Sequence, residues 1–173
     1  MFSGFNNQYG GEYAHFTNPK RLRFVLGDNL LEDTQGNLTE ATSNIAHSPI
    51  IGWAFDGNPI YGPYGYTDPT NQSSNIRRLE PSYRLKTELV FEAQTNPTPV
   101  RTGGPLLSVD PAGTFTDDYE YTFGQGDLDR YNGRFGKTPE FPEGTYAYFV
   151  CIDATSVGNP VFPYIIGPDF NSS

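Results

Sequence analysis

Glycine and proline punctuate this chain too often for long helices. There are 19 Gly and 15 Pro among 173 residues, and the apolar stretches between them are short. The strongest is Thr145–Ile152 (TYAYFVCI), which reads as a strand. Ser48–Phe55 (SPIIGWAF) is apolar, and Asp56-Gly57-Asn58-Pro59 then signals a turn before Ile60-Tyr61. Two short strands around such a turn make a hairpin, with Pro59 limiting its pairing. Strands are also expected at Arg21–Leu26, Tyr83–Ala93 and Phe115–Phe123, and at Val161–Ile166 on a sheet edge because of Pro163. Asp33–Asn37 reads as a turn, Thr39–Ile45 as one helical turn, and Thr67–Asn75, Gln94–Pro111 and Gly124–Gly136 as loops. The expectation is a mainly β chain with little helix. It is a single compact β-sandwich-like or barrel-like domain over residues 1–173, with long Gly/Pro-rich loops and a variable insertion at about 67–121.

Twelve Tyr and 13 Phe supply the bulk of the core, and buried Tyr hydroxyls need partners. Trp53 and Phe55 are expected in that core. The one cysteine, Cys151, sits in an apolar run and is expected to be buried; alone it makes neither an intrachain disulfide nor a cysteine zinc site. A net charge of −9 argues against nucleic acid as a partner, because phosphate neutralisation needs a basic face. Arg77-Arg78 and Lys20–Arg23 are expected to be solvated or locally paired. No apolar run approaches the roughly 18 residues of a membrane span. The opening MFSGFNNQYGGEY carries neither the charged nor the apolar region of a signal peptide.

Chemistry-bearing residues are few. The two histidines, His15 and His47, completed by a carboxylate such as Asp56, would suit a divalent metal ion; otherwise they orient loops. Asp127 and Asp129, with Asn132 and Glu140 nearby, form an oxygen-rich run suited to a cation, although its spacing is not that of an EF-hand. The alternative is that these residues cap turns and pair with Arg130 and Arg134. His47 and Ser48 are neighbours on a strand, so they face opposite ways and do not make a proton relay; no G-x-S-x-G elbow is present either. Tyr61, Tyr64 and Tyr66, with Trp53 and Phe55, form an aromatic group able to stack on sugars or bind protein.

The stretch His47–Tyr66, HSPIIGWAFDGNPIYGPYGY, resembles the signature of the YHYH-domain family. The resemblance continues at Gly126–Phe135 (GDLDRYNGRF), Thr138–Phe149 (TPEFPEGTYAYF) and Val161–Pro168 (VFPYIIGP). The His-rich block that names the family corresponds to Gly11-Glu12-Tyr13-Ala14-His15-Phe16, where Ala14 and Phe16 replace its His or Tyr. The family's usual longer lead is absent, so the chain is expected to be a trimmed domain or the end of a larger protein. RRLEPSYRLK and DDYEYTFGQGDLDRYNGRF resemble virion-associated proteins of marine bacteriophages, cyanophages above all. This resemblance implies a virion structural or adhesion module of a tail, fibre or decoration, assembled in the bacterial cytoplasm and residing in a virion or outside the cell. Its partners would be other virion proteins, a host cell surface or further copies of itself, met through Tyr61, Tyr64, Tyr66, Asn132 and Arg134. The alternative is a metal-dependent hydrolase, or a metal- or carbohydrate-binding domain, using His15, His47 and nearby carboxylates.

Overall fold

A computed structural model of the chain describes residues 17–86 and 107–171. It is mainly β, with short strands in several small sheets and one α-helix among the described residues. The small sheets leave no closed barrel among those residues, and a sandwich-like arrangement fits them. No helix there is long and apolar enough to cross a membrane.

The central sheet holds four strands: β3 (Ile50–Trp53), β4 (Pro59–Tyr61), β10 (Thr145–Phe149) and β9 (Gly133–Gly136), in that spatial order. β3 and β4 form the expected antiparallel hairpin, with Ile50 opposite Tyr61 and Trp53 opposite Pro59. Pro59 is tolerated because it opens its strand. Gly57 supplies the left-handed residue of the turn, at φ 84°. β4 runs parallel to β10, with Ile60 beside Tyr148 and Tyr61 beside Phe149. β9 pairs antiparallel on the other side of β10. One face of this sheet carries the core of Tyr61, Ala147 and Phe149, closed by Leu79, Leu128 and the buried Cys151. The Tyr61 and Phe149 rings stack at 5.6 Å.

Three two-stranded ribbons surround it. β1 (Leu30–Glu32) pairs with β2 (Leu38–Glu40), β5 (Tyr64–Tyr66) with β6 (Ile76–Arg78), and β7 (Tyr83–Leu85) with β8 (Tyr119–Tyr121). The Asp33–Asn37 turn is as read from sequence, its Asp33 Oδ1 accepting from the Gln35 and Asn37 N–H groups at 2.8 Å each. The polar loop 67–75 closes the β5–β6 ribbon.

Several expectations are corrected. Arg21–Leu26 is not a strand: Lys20–Val25 is a helix, α1. The apparent alternation misleads because the inward residue is Arg23, while Val25 and Leu26 face out. Thr39–Ile45 is not helical; its start belongs to β2, whose Glu40 is drawn inward by Arg23. Phe115–Phe123 shrinks to β8 behind a 3-10 turn at Thr116–Asp118, because the buried Asp118 carboxylate accepts from the Gly113 and Phe115 N–H groups and curls the chain. Val161–Ile166 forms no strand: Tyr164, at φ 74°, donates its N–H to the Val161 carbonyl and turns the chain. Tyr83–Ala93 is a strand only over Tyr83–Leu85 among the described residues. Trp53 and Phe55 are not core residues, being 60% and 99% exposed, one at the end of the edge strand β3 and the other in the turn that follows it.

A buried ionic cluster joins the helix to the ribbons. The Arg23 guanidinium donates Nε to Asp28 Oδ2 at 2.6 Å, and Nη1 and Nη2 to the two Glu40 oxygens at 2.7 and 2.8 Å. Asn18 Oδ1 takes a further Nη1 bond at 2.7 Å. Burial opposes the charge on Arg23, but the bonds and charges of Glu40 and Asp28 outweigh it and raise its pKa. Asp28 Oδ1 accepts the Ser48 hydroxyl at 2.8 Å, Ser48 Oγ accepts the Tyr64 N–H at 3.0 Å, and Glu40 Oε2 accepts the Tyr64 hydroxyl at 3.1 Å. Replacing one partner of such a pair strands the other charge. Arg23→Met is therefore expected to cost about 3–5 kcal/mol, read as a lower urea midpoint; an unchanged midpoint would remove the cluster from the account of stability.

Candidate functional site

His47 ends the segment that enters β3, and the Ser48 clamp fixes its place. Ser48 N–H donates to the Tyr64 carbonyl at 2.9 Å, which sets His47 against β5. Its ring meets Tyr66 at 4.9 Å, Tyr61 edge-on at 5.1 Å and Phe149 at 6.2 Å. Nδ1 lies 2.8 Å from the Ser48 carbonyl oxygen, a bond only a protonated Nδ1 makes; in the neutral ring Nε2 then carries the lone pair. Nε2 is buried and has no hydrogen-bond partner among the described residues. An unpaired buried acceptor costs about 1–3 kcal/mol. Burial lowers the His47 pKa below 6.5; the Ser48 carbonyl and the Glu140 charge oppose the shift, and the Arg134 charge adds to it. The Ser48 hydroxyl is committed to Asp28, so no serine–histidine relay exists here.

The other residues singled out by the sequence are distributed around this point. Tyr61 is fully buried and donates its hydroxyl to Glu140 Oε2 at 2.8 Å; its oxygen also lies 2.8 Å from Thr138 Oγ1. Tyr64 belongs to the ionic cluster, and Tyr66 is buried against His47. Arg134 donates Nη2 to the Tyr66 carbonyl at 2.6 Å and lies over the Phe149 ring at 5.5 Å. It has no ion pair among the described residues, and burial lowers its pKa to about 10. Asn132, at φ 65° and fully buried, donates to the Phe149 and Ile165 carbonyls at 2.9 Å each. These five side chains are bonded largely to the interior.

The acidic run is spent on the chain itself. Asp127 takes both terminal nitrogens of Arg77, at 2.5 and 2.9 Å, and the Glu80 N–H at 2.8 Å. Asp129 accepts the Tyr146 hydroxyl and the Tyr131 and Gly133 N–H groups. Of the expected pairings with Arg130 and Arg134 neither is made; the partner is Arg77. Asp56 is exposed at the hairpin turn, with Oδ2 2.5 Å from the Tyr148 hydroxyl and Oδ1 3.1 Å from the Asn58 N–H. Desolvation acts against its charge, but these bonds prevail and lower its pKa. His15 lies outside the described residues. Among the described residues no three His, Cys, Asp or Glu side chains gather closely enough to hold a metal ion.

Sequence reasoning missed two features. Glu140, read only as part of the oxygen-rich run, takes the Tyr61 hydroxyl, a partnership across 79 positions and invisible to local pattern. The exposed aromatic tip was masked by its own composition, since Trp53 and Phe55 look like core. The Phe55 ring meets Phe170 edge-on at 6.3 Å, so Trp53, Phe55 and Phe170 give this end of the sheet its exposed aromatic side chains.

The depressed His47 pKa fixes a pH dependence. A base whose folded pKa lies below its unfolded value of 6.5 adds stability above pH 6.5 and loses it as pH falls. The wild-type melting temperature is expected to drop more steeply below pH 6.5 than that of His47→Gln; parallel curves would contradict the buried, neutral imidazole.

No curated protein and no solved structure matches the chain. The blocks that meet around His47, at 47–66, 126–135 and 138–149, all fall within residues 3–161, which match the profile described as YHYH protein, and the chain belongs to that family.

Proposed function

We propose that this domain is a contact module of a bacteriophage virion, a structural or adhesion part of a tail, fibre or decoration. It meets another virion protein or the host cell surface through the tip of the β3–β4 hairpin. The observation that carries the reading is the exposure of Trp53 and Phe55, 60% and 99%, on a turn whose neighbouring residues are firmly bonded. Scattered apolar residues on a surface need no explanation, whereas an aromatic group does. Tryptophan and other aromatics dominate binding hot spots, and burying a phenylalanine fully is worth about 1.5–3 kcal/mol. The tip is also preorganised. Ala54 N–H and Asn58 carbonyl bond at 2.9 Å across it, and Tyr148 holds Asp56. A rigid tip loses little entropy when a partner seats on it. The likeness of 77–86 and 117–135 to virion-associated phage proteins supports the virion setting.

Because the two side chains are exposed, Trp53→Ala with Phe55→Ala is expected to leave the urea midpoint unchanged. Sedimentation of labelled protein with intact host bacteria tests the adhesion arm, and incorporation of the variant into assembled particles tests the structural arm. The double variant is expected to lose at least tenfold in one of them, about 1.4 kcal/mol. Wild-type retention of the variant in both assays would sink the reading.

A further inference from the structure

Helix α1, the β1–β2 ribbon and the loop 157–160 line a cleft of about 480 Å³, within the size range of small-molecule sites. Its walls are fixed in place. Asn18 donates Nδ2 to the Gly158 carbonyl at 3.1 Å and accepts from Arg23 Nη1, which ties the loop to the buried ionic cluster. Gly158, at φ 60°, packs so closely that a Cβ there would come within 2.7 Å of Glu40 Cγ. Lys20 Nζ joins helix and loop by donating to the Val157 carbonyl. A cleft held in this way loses little entropy when a ligand enters.

The lining stands out in a chain of net charge −9, because it holds Lys20 and Arg21 and no carboxylate. Lys20 makes no ion pair among the described residues. Glu32, outside the lining, takes Arg21 Nη1 at 2.6 Å, and the Gly36 carbonyl takes Nη2 at 3.0 Å; Nε has no partner among the described residues. Acceptors are present as well. The amide nitrogens of Asn37 and Asn159 are held by Asp33 and Asp153, at 2.9 Å each. Their amide oxygens accept no hydrogen bond among the described residues. Val157 and Pro160 add apolar surface.

We propose that this cleft binds an acidic sugar, a pyranose that carries a carboxylate. The carboxylate is met by Lys20 and Arg21, since bonds between ionised partners are the strong ones. The sugar hydroxyls donate to the Asn37 and Asn159 oxygens, and the C–H face of the ring covers Val157 and Pro160. A sulfate ion has no proton to offer those oxygens, and a neutral sugar leaves the two cations without a counter-charge. The site shares no residue with the hairpin tip, so it stands whether or not the tip makes contacts.

The test is a titration of ¹⁵N-labelled chain with sodium glucuronate, and separately with glucose and with sodium sulfate at the same ionic strength, followed by amide chemical shifts. Saturable shifts at Lys20, Arg21, Gly36, Asn37 and Gly158 are expected with glucuronate. Glucose and sulfate are each expected to bind about tenfold more weakly, the effect of losing one charge-assisted bond or the hydroxyl contacts. Arg21→Gln is expected to weaken glucuronate by about tenfold. The Arg21 side chain is 46% exposed, so this variant keeps the fold. Absence of saturable shifts with glucuronate, equal binding of glucose or sulfate, or undiminished binding by Arg21→Gln would overturn the proposal.

Discussion

One guanidinium shared by two buried carboxylates governs much of this architecture. Arg23 enters the interior from a six-residue helix and binds Asp28 and Glu40 with side chains almost wholly removed from water. Taking three charges out of water is costly, and the excess negative charge must be spread. The structure spreads it over neutral donors: Ser48 and Asn29 on Asp28, and Tyr64 on Glu40. The same bonds fix where β1, β2, β3 and β5 stand relative to α1. Gly62 lies against this cluster; a Cβ there would approach the Asp28 carboxylate and come within 2.7 Å of Ser48 Oγ. The glycine is a packing requirement, since no bulkier side chain fits without moving a charged group.

His47 inherits its geometry from that cluster. Arg23 orders Asp28, Asp28 orders Ser48, and Ser48 sets the backbone that carries the imidazole. The histidine then leans on Tyr61, Tyr66 and Phe149, which also build the core. The side chains that hold His47 are therefore the ones that build the core. At the hairpin tip, by contrast, Trp53 and Phe55 contribute little to packing.

Local pattern revealed the hairpin around Asp56-Gly57, the strand at Thr145, the Asp33 turn and the burial of Cys151. Each is written in neighbouring residues: a turn dipeptide, an alternating run, an Asx side chain bonding its own backbone, or a small apolar residue in an apolar run. What escaped was set by distant partners. Arg23 read as solvated or locally paired; it is paired with Asp28, 5 residues on, but its burial and its second carboxylate, 17 residues away, escaped because arginines seldom go inside. Tyr61, Tyr64 and Tyr66 looked like a contact surface because nothing in their spacing announced Glu40, Thr138 or Glu140. Trp53 and Phe55 looked like core because composition does not say which strand stands at the edge of a sheet.

The parallel pairing of β4 with β10 brings Ile60 beside Tyr148 and encloses the whole stretch 67–121 in one long excursion. Closing a loop costs entropy that grows only with the logarithm of its length, about 0.6 kcal/mol for each doubling. The excursion is also anchored midway by β5–β6 and β7–β8, whose ribbons hold themselves together. Insertions and deletions in that region would leave the register of the central sheet intact. Such a frame lets loop length change without moving the bonds that join Ser48 to Asp28 and Tyr64.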